Sequence, residues 1–84
     1  MNAVTVRYFA AAAQAAGLAQ ETVELATEAS LAELIDEIVR RHGDRLEQVL
    51  QRSSLLVDEV VGRDRDARMP TGATVDVLPP FAGG

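Results

Sequence analysis

The chain has 84 residues, 48% of them hydrophobic, enough for one packed domain and too few for two. It contains no cysteine, which excludes a disulfide framework, a thiolate metal site and a cysteine nucleophile. Its net charge of −5 argues against nucleic acid, because phosphate binding needs clustered cations.

A partner with a basic surface is the expected counterpart of that charge. No basic-plus-apolar signal segment opens the sequence, and no apolar run approaches the ~20 residues that cross a bilayer. A cytoplasmic protein without membrane contact is therefore expected. All eight basic residues are arginine. Apart from the α-amino group, the chain offers no amine that an activated carboxyl on a sister molecule could acylate.

Residues Ala3 to Phe9 alternate, with Val4, Val6 and Tyr8 on one face and Thr5, Arg7 and Phe9 on the other. This period of two, rich in β-branched and aromatic residues, predicts a strand. Ala10 to Ala16 has high helix propensity but is short, and Gly17 marks its end, so a helical turn is expected. Gln20 to Leu25 alternates again, with Val23 and Leu25 on one side, and a return pairing with the first strand is the simplest connection.

The main helix is announced by Ser30-Leu31-Ala32-Glu33, a capping box. Leu31, Leu34, Ile35, Ile38 and Val39 then form one apolar stripe. Acidic Glu33, Asp36 and Glu37 precede basic Arg40, Arg41 and His42, as the helix dipole favours, and Gly43 ends the helix. His42 reads as a residue that compensates the dipole, and Ser53-Ser54 has no positioned base. A second helical turn is expected over Asp44 to Gln51, and a strand over Ser54 to Asp58. After a turn at Asp58-Glu59, Val60-Val61 can form a minor strand. In the stretch 62–68 aspartates alternate with arginines, which predicts a solvated loop. Met69 to Gly72 is turn chemistry, and Thr74 to Leu78 is the final strand. The acidic residues of the main helix show no convergent metal pattern. The economical packing of strand, strand, helix, strand, minor strand, strand is one sheet with the helix across one face.

Residues 79–84 read as an extended functional tail on a domain of residues 1–78. Pro79 and Pro80 favour an extended path after the last strand and keep the tail from returning as another strand. Phe81 and Ala82 lead to Gly83-Gly84, whose terminal carboxylate has no Cβ beside it. Such a group is open to attack and slim enough for a narrow channel. On the strand alternation Val4, Val6, Leu55, Val57, Val75 and Val77 face the helix. Phe9, Leu56 and Leu78 then face outward, near Phe81, as an apolar patch suited to a partner.

With this element order, the tail Leu78-Pro79-Pro80-Phe81-Ala82-Gly83-Gly84 resembles that of the molybdopterin synthase small subunits, among the MoaD/ThiS-type ubiquitin-like sulfur carriers. The opening strand from Val4 to Ala10, ending Tyr-Phe-Ala, is similar to theirs as well. The sequence departs from that family at Leu56-Val57-Asp58, where Ala-Val-Asn is common, and at Thr71-Gly72-Ala73, where Asp-Gly-Asp is common. The resemblance implies an α+β fold, the ubiquitin-like β-grasp, with a mixed sheet and one main helix. It implies a chain that is no enzyme by itself and binds no cofactor. An E1-like adenylating enzyme would use ATP and Mg²⁺ to activate Gly84, and a sulfur donor protein would convert it to a thiocarboxylate. The large synthase subunit would then take the tail and pass the sulfur to cyclic pyranopterin monophosphate. On that reading Gly84 and Gly83 carry the chemistry. Leu78, Pro79, Pro80, Phe81 and Ala82, with Phe9 and Leu56, meet the partners. Two alternatives stay open: a sulfur carrier for thiazole (thiamin) or cysteine synthesis, whose tails more often lack the double proline, and a ubiquitin-like interaction module that is never thiolated.

Overall fold

The computed structural model describes residues 1–80. The elements run β1 (Asn2–Tyr8), α1 (Ala11–Ala16), β2 (Gln20–Leu25), α2 (Leu31–His42), α3 (Asp44–Leu50), β3 (Ser54–Val57), β4 (Val60–Val61) and β5 (Thr74–Leu78). The strands form one sheet in the order β2-β1-β5-β3-β4. Its two central strands, β1 and β5, are parallel, and every other pair is antiparallel. The sheet is therefore mixed, with helices on one face, which is the β-grasp architecture.

The alternation read from sequence becomes the two faces of this sheet. Val4, Val6 and Tyr8 of β1, Val23 and Leu25 of β2, Leu55 of β3 and Val75 and Val77 of β5 are buried toward the helices. From α2, Leu31, Leu34 and Ile38 complete the core, with Ile35 and Val39 packed at its edge. Full burial of each such aliphatic side chain stabilises the fold by about 1.5–3 kcal/mol.

The two predicted helical turns are short α-helices. An alanine run of six residues cannot hold a helix alone in water. Here α1 packs against α3 and buries Ala12 completely, so tertiary contact supplies what length does not. Helix α3 contributes Leu46 and Leu50 to the same core. Gly43, at φ 87°, turns the chain sharply between α2 and α3, a conformation a side chain disfavours.

At the start of α2 the Ser30 hydroxyl accepts the Glu33 amide at 3.2 Å, one half of the expected capping box. The exposed Glu33 side chain makes no return bond to Ser30 among the described residues. The stretch 62–68 satisfies two further orphan amides of the helix: the carbonyls of Ala67 and Arg65 accept the amides of Leu31 and Ala32. That loop is solvated at its side chains but fastens the helix through its backbone. The predicted turn at Asp58-Glu59 is a two-residue hairpin with both residues at positive φ, joining β3 to β4. Asn2, buried at the start of β1, holds the turn ahead of β5. Its amide donates to the Met69 and Pro70 carbonyls, and its oxygen accepts the Gly72 amide at 2.8 Å.

Candidate functional site

Strand β5 ends at Leu78, and Pro79 and Pro80 follow directly. This end of the sheet is where the candidate site begins. Leu78 and Pro79 are half-buried and Pro80 is exposed. Phe81, Ala82, Gly83 and Gly84 lie outside the described residues.

The uncovered face of the sheet has three rows across its central strands. Nearest the tail, Leu78 pairs with Ser54, and Phe9 follows β1, 40% exposed. In the next row Arg7 is paired with Asp76, Asp76 with Leu56, and Leu56 with Val61. Beyond it Thr5 stands beside Thr74. Phe9, Leu56 and Leu78 thus share the face away from the helices, as the alternation predicts. The face is not simply apolar, however. Arg7 binds Asp76 through two hydrogen bonds, from Nε at 2.5 Å and from an Nη at 2.7 Å, and its guanidinium lies 5.8 Å from the centre of the Phe9 ring. The Arg7 pKa is raised, first by its hydrogen bond to Asp76 and then by that carboxylate's charge. This fixed ion pair fills β1 and β5 in the row that continues into Leu56 and Val61. A partner docking here meets two apolar zones around an oriented, already neutralised charge pair.

On the helical side, Glu21 ties the sheet to the end of α2. Its carboxylate accepts the Tyr8 hydroxyl at 2.6 Å, faces His42 Nε2 at 2.5 Å and accepts Arg41 at 3.0 Å. The Tyr8 and His42 rings meet edge to face, 5.8 Å apart. His42 is therefore a structural clamp at the end of α2. Burial pushes the Glu21 pKa up, but the hydrogen bonds from Tyr8, His42 and Arg41 outweigh it and hold the group below its ordinary value. Burial and the bond to Glu21 push the Tyr8 hydroxyl far above its usual range, so it stays a donor.

A carboxylate with a depressed folded pKa adds stability above its unfolded pKa and loses it as pH falls through the folded value. Glu21→Gln is expected to cost about 1–2 kcal/mol at pH 7, because it replaces charge-assisted bonds with neutral ones. The gap to wild type is expected to close as the pH drops below about 4. Urea midpoints of both proteins across the acid range check this, and a gap independent of pH would contradict it.

Among the described residues no three His, Cys, Asp or Glu side chains converge as a metal site. No described helix is long and apolar enough to cross a membrane. The reactive group expected from the sequence, the Gly84 carboxylate, lies outside the described residues.

Comparison with known proteins bears on that reading. The model of the ThiS family matches residues 6–84, nearly the whole chain and its tail. The chain belongs to the ThiS family. It is a ubiquitin-like sulfur carrier of the ThiS/MoaD type. Among curated protein sequences none matches it. Among solved structures, this ThiS-family chain is similar to a Pyrococcus furiosus protein described as subunit 1 of a molybdopterin converting factor. The two are 28% identical over 96% of this chain and 100% of the other, with a TM-score of 0.81. SAMP1 from Haloferax volcanii superposes with a TM-score of 0.87 at 21% identity, covering 99% of this chain and 100% of that one, a likeness of fold. A chain in the complex of subunits 1 and 2 of the molybdopterin-converting factor from Helicobacter pylori 26695 gives a TM-score of 0.68 at 21% identity. That match covers 98% of this chain and 99% of the other.

Two features of this ThiS-family chain escape a sequence reading. The Arg7–Asp76 pair spans 69 positions and becomes visible only once β1 and β5 are known to be parallel neighbours. The Glu21 cluster needs the register that places β2 beneath the last turn of α2. A charged residue alternating with buried valines, as Asp76 does between Val75 and Val77, was the one available signal.

Proposed function

We propose that this ThiS-family chain carries sulfur as a thiocarboxylate on Gly84 and delivers it for molybdopterin synthesis. The observation that carries the reading is the family match running through the tail to residue 84, on a chain whose sheet ends at Leu78 and passes directly into Pro79-Pro80. The likeness to a molybdopterin-converting-factor subunit 1, over nearly the full length of both chains, favours this pathway.

The chemistry follows from the poor leaving group of a carboxylate. A Gly84 oxygen attacks the α-phosphorus of MgATP on an E1-like enzyme, pyrophosphate leaves, and an acyl-adenylate forms. Sulfide released by a donor protein then attacks the acyl carbon, the bond from that carbon to the AMP oxygen breaks, AMP leaves with that oxygen and the electron pair, and a thiocarboxylate remains. A large synthase subunit takes the tail into its own active site, where the sulfur passes to cyclic pyranopterin monophosphate. The catalytic groups belong to the partners. This chain supplies the reacting atom at high effective concentration through its threaded tail.

The test is direct. Incubated with the E1-like enzyme of the same genome, MgATP and sulfide, the intact protein is expected to gain the mass of one oxygen-to-sulfur exchange, placed on Gly84 by fragmentation. Supplied with the large subunit and cyclic pyranopterin monophosphate, the product is expected to return to its original mass. A chain that is never thiolated leaves the interaction-module reading. A chain thiolated but discharged only by a thiazole- or cysteine-forming enzyme moves the assignment to those pathways, which the ThiS family match accommodates.

A further inference from the structure

Beside the base of the tail lies a groove of about 400 Å³ between α1 and α3. Ala11 and Ala15 line one side, Val49 the other, and Pro79 borders it where the chain leaves β5. Arg45 and Arg52, both exposed, bring two positive charges to the same groove. Arg45, Val49 and Arg52 fall at i, i+4 and i+7 along α3 and just past its end, which places them on one side of that helix. The acidic Glu47 lies instead on the opposite groove, against α2.

The charge pattern there is the reverse of the chain's net −5. Arg7, Arg40, Arg41 and Arg68 each meet a carboxylate of their own chain. Among the described residues Arg45, Arg52, Arg63 and Arg65 have none within ion-pair distance, although thirteen acidic residues are available, and of these four Arg45 and Arg52 stand together in one groove. Apolar walls with cationic edges suit an occupant that carries carboxylates around an apolar anchor. A basic segment would be repelled at this spot while being attracted elsewhere on the chain.

We infer that this groove seats an acidic, apolar-anchored segment of the enzyme that activates the tail, an inference that rests on the carrier reading above. The reach of the tail brings any enzyme that takes Gly84 against this groove, and the activating enzyme is the first to do so in the proposed sequence. Four residues beyond Pro80 reach at most about 14 Å when fully extended. An active site that holds Gly84 must therefore bring its own surface down over the tail base, next to the groove. An acidic segment seated between α1 and α3 fixes the orientation from which the tail enters. The otherwise acidic carrier then meets a partner of two signs, which discriminates against surfaces that are merely basic.

The experiment is ATP–pyrophosphate exchange by the E1-like enzyme of the same genome, with the full-length chain as substrate at low and at moderate salt. The double charge reversal Arg45→Glu with Arg52→Glu is expected to raise KM for the carrier about tenfold or more at low salt, with kcat nearly unchanged. The gap is expected to narrow as salt screens it. The double variant to glutamine should fall between the two. Circular dichroism and the thermal midpoint of each variant check that the exposed substitutions leave the fold intact. An unchanged KM overturns the inference. A lower KM would show that the groove holds the chain's own residues 81–84 and releases them on reversal, and salt-sensitive dimerisation of the wild type, lost in the variants, would show that it holds a second copy. Either result also overturns it. If wild type itself supports no exchange, the carrier reading fails, a result distinct from a wild type that reacts and variants that match it.

Discussion

A chain extended by one residue after Gly84, or shortened by removing it, is expected to take up no sulfur while keeping the thermal midpoint of the wild type. The reason for the first half is chemical. Adenylation needs a free carboxylate oxygen as nucleophile, and an added residue converts the Gly84 carboxylate into an amide that has none. The new terminal carboxylate stands one residue further out, up to about 3.6 Å beyond its proper place, and carries a Cβ for any residue but glycine. Displacements of about 1 Å in a reacting group already cost on the order of a hundredfold in rate. The shortened chain ends in glycine but falls short by the same distance. Loss to below detection in a mass measurement is therefore expected for both.

The second half rests on packing. The buried hydrophobic core runs from Val4 to Val77 and the last strand ends at Leu78, so no core side chain among the described residues depends on a change at position 84. Two readouts that normally move together should separate. Sulfur uptake by the extended chain would overturn the carrier assignment. A large fall in its midpoint would mean that the terminus is tied into the fold.

How far the sequence reaches is clearest at α2. Its stripe of Leu31, Leu34 and Ile38 is legible because the burial period and the helix period coincide within one short segment. The strand faces are legible for the same reason at a period of two. Even Ala10-Ala16 announces helix, but its length leaves the outcome to α3, a neighbour that local reasoning cannot supply. The loop at 62–68 shows the opposite failure. Its side chains say solvent, and its function in the fold lies in two carbonyls, which carry no sequence signal at all. At the candidate site, Phe9, Leu56 and Leu78 follow from alternation alone. Arg7 joins Asp76 only through a parallel pairing across most of the chain, so the charged centre of that face stays hidden until the strand order is known.

That charged centre shapes the last prediction. Phe81→Ala, and to a lesser degree Leu78→Ala, is expected to weaken binding of the large subunit roughly thirtyfold, with little change in the thermal midpoint. An aromatic anchor at an interface centre typically costs about 2 kcal/mol or more on truncation, which is that factor. A core residue cut to alanine would instead cost about 2–5 kcal/mol of stability. Phe9 and Leu78 flank the start of the tail on the uncovered face, and Arg7 against Asp76 closes that zone on its inner side. A partner that follows the tail from Pro79 inward reaches these apolar groups before any charge. Leu56 and Val61 sit in the row of the ion pair, one row further from the tail than Leu78, so Leu56→Ala is expected to weaken binding less than Phe81→Ala. Titration calorimetry with the large subunit, alongside melting of each variant, separates the possibilities. A large drop in the midpoint for Phe81→Ala would place its side chain in the core, and equal losses for Leu56→Ala and Phe81→Ala would mean that nearness to the tail does not set a residue's share of the binding.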